Sequence, residues 1–518
     1  MNKIISYTLL VRTVGIVLFG IIIWNLIWVI NVFNPRAPLL SSIFIIGFGM
    51  TCFSYIISIM TNWGYKIPTA RHLLDGQEPE VAVLIPTYGE PVDMVIRTIE
   101  SVIDQDWPHD KLVIAVGDDG RNEDLNNAII KLSSSTPVKI IYHTPYPKGH
   151  LLRMGEAKAG NLNSLLRFIL KEFPDIEFIE TRDADDLVGS KLFLKYCLGQ
   201  LIDDRSISFV QTIKECQTSN GDPFSNMESV FYRQVMFSRH SSNAVFPCGS
   251  GLVWRLRELR RIGGFPHWNL VEDLQSGYEI LLLGGKGCYL PIVGAVGQIA
   301  PEDIPNFYKQ RGTWALDTLR LFFWKNPLFT NKLTVGQKLH FLELEYSYIL
   351  SFAVFIYVII ISISLFFNIA PLVASKESYL SHTLTLIIAI EIFNYVRIRG
   401  ISYKYLWRSR RIWIGLSPVF AISTIKALLF GPYKKPAYKV TRKSHMHSWY
   451  WQETITQYLI IIVLSSGIIY RMTKGNIDSI FGYESIAWAL FFIYGYSQVV
   501  KNSWFMIFKS KLSIVPKI

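Results

Sequence analysis

Two uncharged apolar runs, residues 13–33 and 39–61, open the chain, and each is long enough to cross a bilayer as a helix. A span in hydrocarbon must satisfy its own backbone hydrogen bonds, so these runs are constrained to be helices. The first is too long for a secretory leader, and no small-residue cleavage site follows it. A short turn, Asn34-Pro35-Arg36-Ala37-Pro38, joins the two, so the chain returns to the side where it began. Lys66, Arg71 and His72 then mark that side as cytoplasmic.

The carboxyl part returns to the same character. Residues 346–374, 379–396 (despite Glu391), 454–470 and 480–508 fit further spans. Residues 412–430 are apolar but have basic residues on both flanks. Arg408, Arg410 and Arg411 precede them, and Lys434, Lys435, Lys439, Arg442 and Lys443 follow. Pro418 and Lys426 lie within. That pattern predicts a helix lying on the cytoplasmic interface. The expectation is about six crossings with both termini inside, and Lys501, Lys509 and Lys511 at the cytoplasmic end.

Composition agrees. Of 518 residues 18% are charged, against about 25% in soluble domains, and 50% are hydrophobic. The net charge of +12 gathers beside the apolar spans, which implies loops against anionic lipid and not nucleic acid. The five cysteines form no C-x-x-C pair and have no zinc spacing, and four lie in the central block, which reads as reduced and cytosolic.

That central block, residues 78–323, alternates apolar runs of strand length with helical patterns. The runs are 81–85, 112–116, 138–142, 176–179 and 207–210. Such alternation predicts an α/β fold with a mostly parallel sheet, whose ligands sit at the carboxyl ends of the strands. The expected organisation is an amino-terminal membrane segment (1–66), a cytoplasmic catalytic block (78–323), and a membrane part (324–518) containing a loop at 431–449.

Polar residues cluster where those strands end. The first runs into Thr87-Tyr88-Gly89-Glu90, the second into Asp118-Asp119, and the fourth into Asp183-Ala184-Asp185. Acidic residues beside glycine often only make turns, and a cluster such as 183–186 can simply sit at a helix start. Lined along one sheet edge, they can hold a hard divalent cation against a nucleotide diphosphate. Lys158-Ala159-Gly160-Asn161 opens a helix and offers a mobile cation, although a surface lysine with a turn glycine reads the same way. Glu272-Asp273 begins another helical run. It is either a cap or a carboxylate placed to take a proton from a hydroxyl.

Asp119, Asp183-Ala184-Asp185, Glu272-Asp273 and Gln310-Arg311-Gly312-Thr313-Trp314 together resemble the D, DxD, ED and QxxRW signature of processive family-2 glycosyltransferases, the cellulose synthase-like and hyaluronan synthase-like membrane enzymes. Phe246-Pro247-Cys248-Gly249-Ser250-Gly251 is similar to the acceptor-end segment of cellulose synthases. Tyr438-Lys439-Val440-Thr441-Arg442-Lys443 is similar to their gating loop. The resemblance implies a GT-A catalytic domain in a bacterial plasma membrane. It also implies a UDP-sugar donor, most simply UDP-glucose, with Mg²⁺ or Mn²⁺, and a β-linked polysaccharide exported through the enzyme's own channel. The alternative is a non-processive enzyme that glycosylates a lipid carrier or glycolipid.

By position, the resemblance assigns Thr87, Tyr88, Glu90, Asp119, Lys158, Asp183, Gln310 and Arg311 to the donor, and Asp185 with Asp183 to the metal. It assigns Asp273, beside Glu272, as the base. Trp314, Cys248, Gly249 and Ser250 fall to the acceptor, and Tyr438, Val440, Thr441 and Lys443 to the gate. One position departs from the motif: Thr313 stands where the family carries an arginine that contacts the donor diphosphate. Arg311, Lys309 and Lys443 are the candidate replacements.

Overall fold

The computed structural model describes residues 2–218, 222–434, 448–474 and 480–508. Its centre is one eight-stranded sheet made of β1 (Val81–Thr87), β2 (Leu112–Asp118), β3 (Lys139–His143), β4 (Phe178–Thr181), β5 (Asp186–Val188), β6 (Ile207–Cys216), β7 (Leu252–Arg255) and β8 (Lys286–Gly297). The order is β3-β2-β1-β4-β7-β6-β8-β5.

β1 and β2 are buried along their whole length, the mark of a parallel strand covered on both faces. Their side chains divide with a period of two. Ala82, Leu84, Val113 and Ala115 pack with Leu162, Leu165 and Ile169 of the Ala157–Glu172 helix. Val81, Val83, Ile85, Ile114 and Val116 pack on the opposite face with Val95, Ile99 and Val102 of the Val92–Ile103 helix. Helices on both faces of a sheet give the α/β architecture expected.

The sheet is mostly parallel, as expected, and its antiparallel pairs all lie on the far side of β4. β3-β2-β1-β4 is parallel throughout, as is β6 with β8. β7 is antiparallel to both β4 and β6, and β5 is antiparallel to β8. All five predicted strands are present. β5, β7 and β8 are additional, and each lacks a clean apolar run. β5 has three residues and starts on Asp186, β7 follows Gly249 and Gly251, and Pro291 and Gly294 interrupt β8.

Among the described residues, five helices are long and apolar enough to cross a membrane: Tyr7–Asn31, Pro38–Thr61, Val335–Phe367, Lys376–Arg397 and Ile455–Thr473. The third begins earlier than the sequence suggested and stops at Phe367, because Asn368 turns left-handed (φ 57°) ahead of Pro371. In the fourth, Glu391 is tied to Arg410 at 2.7 Å and to the Tyr403 hydroxyl, so its charge is paired. The Ile480–Phe508 helix, expected to span, is absent from the five. Glu484, Ser485, Ser497, Gln498 and Lys501 dilute its apolar face. It still joins the bundle, since Ala489, Phe492 and Tyr496 pack with Val358, Leu365 and Leu464.

The interfacial segment expected at 412–430 is two helices, Tyr403–Gly415 and Ser417–Phe430, bent by 59°. Leu416 joins them, and Pro418 is tolerated in the first turn of the second. The second helix carries the α/β domain. It lies along the Ile304–Lys325 helix, with Ser423 donating to the Gly312 carbonyl (3.1 Å) and Trp324 to the Ala427 carbonyl (2.8 Å). Gly312 is small because a Cβ there would sit 3.3 Å from Val419. The α/β domain is thereby joined to the helical bundle through the Ile304–Lys325 helix.

Candidate active site

A cavity of about 500 Å³ opens at the carboxyl ends of β1 and β4, between the sheet and the Ile304–Lys325 helix. Thr87, Tyr88, Glu90, Asp119, Lys158, Asp183, Asp185, Cys248, Gly249, Glu272, Asp273, Gln310, Arg311 and Trp314 all line it. They come from stretches more than two hundred residues apart in sequence, and the strand-end rule explains why they meet.

The Lys158 ammonium is the hub. It donates to Asp183 Oδ1 at 2.5 Å and to the Gly249 carbonyl at 3.0 Å, and it lies 3.2 Å from Glu272 Oε1. Burial works against its charge, but the Asp183 and Glu272 carboxylates outweigh that and hold its pKa above the ordinary lysine value. The other oxygen of Asp183 is 3.1 Å from Lys214, which also lies 3.1 Å from Asp186 Oδ2. Lys214 is likewise held above its ordinary pKa, against burial, by Asp186 and Asp183. Burial raises the Asp186 carboxyl.

The acidic loop is held rigidly from below. Arg182 and Glu180 form a fully buried ion pair at 2.5 Å, and Arg182 also donates to the Leu187 and Gly294 carbonyls. Thr98 donates to the Ala184 carbonyl at 2.8 Å. Ser250, expected at the acceptor, is fully buried and accepts from the Asp183 amide at 3.1 Å. It supports the acidic loop and does not line the cavity.

Asp273 stands at the start of the Asp273–Leu282 helix. Burial first, then the neighbouring Glu272 carboxylate, pushes its carboxyl up to about 7. Gly249 (φ +81°) packs against both partners, since a Cβ there would lie 3.0 Å from Lys158 Nζ and 3.2 Å from Asp273 Oδ2. The turn before Asp273 is fixed by a residue that sequence reasoning missed. Asp317 accepts from the Leu270 amide at 2.7 Å and the Val271 amide at 2.9 Å, and its carbonyl accepts from Asn269 at 2.8 Å. Burial pushes the Asp317 carboxyl up to about 8, against the pull of those two amides. Asp317 lies one turn beyond Trp314 on the same helix, so the two expected motifs are bolted together.

Two residues expected at the donor have partners that the sequence did not foretell. Asp119 forms a bidentate ion pair with Arg153 at 2.6 and 2.8 Å, both side chains being almost fully buried. Arg153 has no sequence signal, because it sits in an irregular loop. Arg311 is paired with Glu228, donates to the Ser225 carbonyl, and stacks against Phe307 and Trp314 at 5.3 and 4.8 Å. It braces Trp314, a residue that is 39% exposed and lines the cavity. Glu90 accepts from the Thr87 hydroxyl and the Tyr88 amide, both at 2.6 Å, which shapes the loop after β1. Lys214 did leave a trace in the sequence, as the charge that follows the buried run 207–213.

Tyr438, Val440, Thr441 and Lys443 lie outside the described residues. The chain just before them is anchored to the α/β domain, because Trp268 donates to the Pro432 carbonyl at 2.9 Å. Among the described residues, no three His, Cys, Asp or Glu side chains form a ready metal cluster.

Comparison with known proteins agrees with this arrangement. Residues 178–433 match the model described as glycosyl transferase family group 2, and residues 82–256 match glycosyl transferase family 2. The cellulose synthase catalytic subunit (UDP-forming) of Pseudomonas fluorescens is 31% identical over 57% of this chain and 39% of its own length. Cellulose synthase 1 of Komagataeibacter xylinus is 29% identical over 52% of this chain and 17% of its own length. The aligned part of this chain thus spans well under half of either relative. Among solved structures, a mannosyltransferase of Pyrobaculum calidifontis, determined with GDP-mannose and Mn²⁺, superposes with a TM-score of 0.52 at 16% identity. It covers 75% of this chain and 99% of its own, a likeness of fold.

Proposed function

The chain belongs among the family-2 glycosyltransferases of the cellulose synthase-like kind, and from that premise we propose that it is a processive, inverting hexosyltransferase of a bacterial plasma membrane. It polymerises a UDP-sugar, most simply UDP-glucose, into a β-linked polysaccharide and passes the product through its own helical bundle. The catalytic domain faces the cytoplasm, where the donor is made and where the basic loops lie. One observation carries this reading: a single ammonium, Lys158, joins the DxD aspartate, the ED pair and the Cys248-Gly249 loop in one cavity.

The chemistry follows from that juxtaposition. Asp273, ionised, takes the proton of the acceptor's terminal hydroxyl. The freed oxygen attacks the anomeric carbon, a new C–O bond forms, and the bond to the diphosphate breaks with its electron pair leaving on UDP. An α-linked donor then gives a β-linked product, and no covalent enzyme intermediate is needed. Lys158 faces the charge that develops on the leaving oxygen. Trp314 offers an apolar ring face to the acceptor sugar.

Asp183 and Asp185 suit a divalent cation. Both are hard oxygen donors in the cavity, and one or two carboxylates plus substrate phosphates suffice for Mg²⁺. Such a cation would neutralise the diphosphate charge. Lys158 and Lys214 already hold the place of a cation on Asp183.

The test is purified chain incubated with a panel of UDP-sugars and Mg²⁺ or Mn²⁺, followed by linkage analysis. The expected outcome is one UDP released per sugar added and a β-linked product, with Asp273→Asn binding donor yet transferring nothing. Normal turnover by that variant would remove Asp273 from the base role. The alternative, single transfer to a lipid carrier, draws on Thr313 in place of the motif arginine. Product length separates the two.

A further inference from the structure

Resting on the nucleotide-sugar reading above, we infer that Lys214 is the cation that grips the donor diphosphate in this chain, replacing the arginine absent at Thr313. Thr313 lines the cavity but carries no charge. A diphosphate buried there needs positive partners within hydrogen-bond reach.

The candidate cations can be sorted by what already occupies them. Arg311 is committed to Glu228 and the Ser225 carbonyl and is stacked between two rings. Arg153 is taken by both oxygens of Asp119. Lys148 sits 5.1 Å over the ring of Tyr88, which is itself exposed. Lys214 differs from these. It lines the cavity, its side chain is only 18% exposed, and its partners Asp183 and Asp186 belong to the acidic loop itself.

Two features show that this placement is built in. The β6–β8 register slips on both sides of Ile213, immediately before Lys214, and such irregularities re-aim the next side chain. Lys158 and Lys214 also take opposite oxygens of Asp183, at 2.5 and 3.1 Å. An arriving diphosphate offers both ammoniums stronger anionic partners and leaves Asp183 able to face a metal. The missing arginine is thus replaced from the sheet, and not from the helix that carries the motif.

The experiment measures binding of UDP with Mn²⁺, and of uridine alone, to the full-length protein. Lys214→Met should weaken UDP binding by about tenfold or more, the worth of one charge-assisted hydrogen bond, with uridine binding unchanged. Lys214→Arg should bind UDP nearly as the parent does. Thr313→Arg added to Lys214→Met should restore much of the loss. Parental UDP affinity in Lys214→Met overturns the assignment. So does equal loss of UDP and uridine in both Lys214 variants, which would mean a structural role, or a UDP-specific loss seen in Lys443→Met and not in Lys214→Met. Failure of the parent protein to bind UDP would instead overturn the nucleotide-sugar reading itself.

Discussion

Asp273 has its carboxyl pushed up to about 7 by burial and by Glu272, which puts the proposed base at the edge of its working form. The sign is clear: a raised carboxyl stays protonated further up the pH scale, and only the ionised form accepts a proton. The kcat/KM profile should therefore fall by about tenfold per pH unit below pH 7. Glu272→Gln removes the like charge, so this acid limb should move to lower pH; an upward shift or none would contradict the assignment. Gly249 gives a steric test of the same pocket. Gly249→Ala puts a Cβ 3.0 Å from Lys158 Nζ and 3.2 Å from Asp273 Oδ2 in a left-handed backbone conformation. Transfer should drop by at least about tenfold, with a stability loss of roughly 1 kcal/mol measured by thermal unfolding.

At the scale of elements, the Ile304–Lys325 helix couples the two halves of the site. Trp314 on one turn lines the cavity at the proposed acceptor position, and Asp317 on the next holds the turn that precedes Asp273. Asp317→Asn replaces one acceptor with a donor aimed at a backbone N–H. It should cost about 1–3 kcal/mol of stability and lower kcat while donor KM holds. A change confined to KM would show that the turn is fixed by something else. Trp314→Ala should shorten the product while first transfers to a soluble acceptor persist, read by chromatography of the chain-length distribution.

These elements were unevenly legible in the sequence. β1 and β2 announce themselves because strands buried on both faces are continuous apolar runs, and the aspartates at their ends follow from the strand-end rule. β7 and β8 were silent because glycine and proline break their pattern. Lys214 and Asp317 were visible only as charges among other charges of their elements, and their meaning depends on contacts across more than thirty residues of chain. Arg153 left no trace, because its loop has no period. The resemblance to a known family supplied roles that no spacing alone would give, yet it did not reveal that Arg311 is spent on Glu228.

At the scale of the molecule, the α/β domain stands on the bundle through two helices that cross at Gly312 and Ser423. The wall of the cavity therefore includes Tyr348 and Trp413 of the bundle. Among the described residues five helices fit a bilayer by length and composition, and the bent pair at Leu416 packs against the Ile304–Lys325 helix. Under the proposed function, sugar added at the acidic cavity leaves on the far side of the membrane.

Inside-out vesicles containing the purified chain, supplied externally with its UDP-sugar and Mn²⁺, test that statement most directly. The account predicts a β-linked polymer that accumulates inside the vesicles, resists added glycosidase until detergent is present, and is lost in Asp273→Asn. A single sugar added to a membrane lipid, or polymer open to the enzyme from the start, would contradict it.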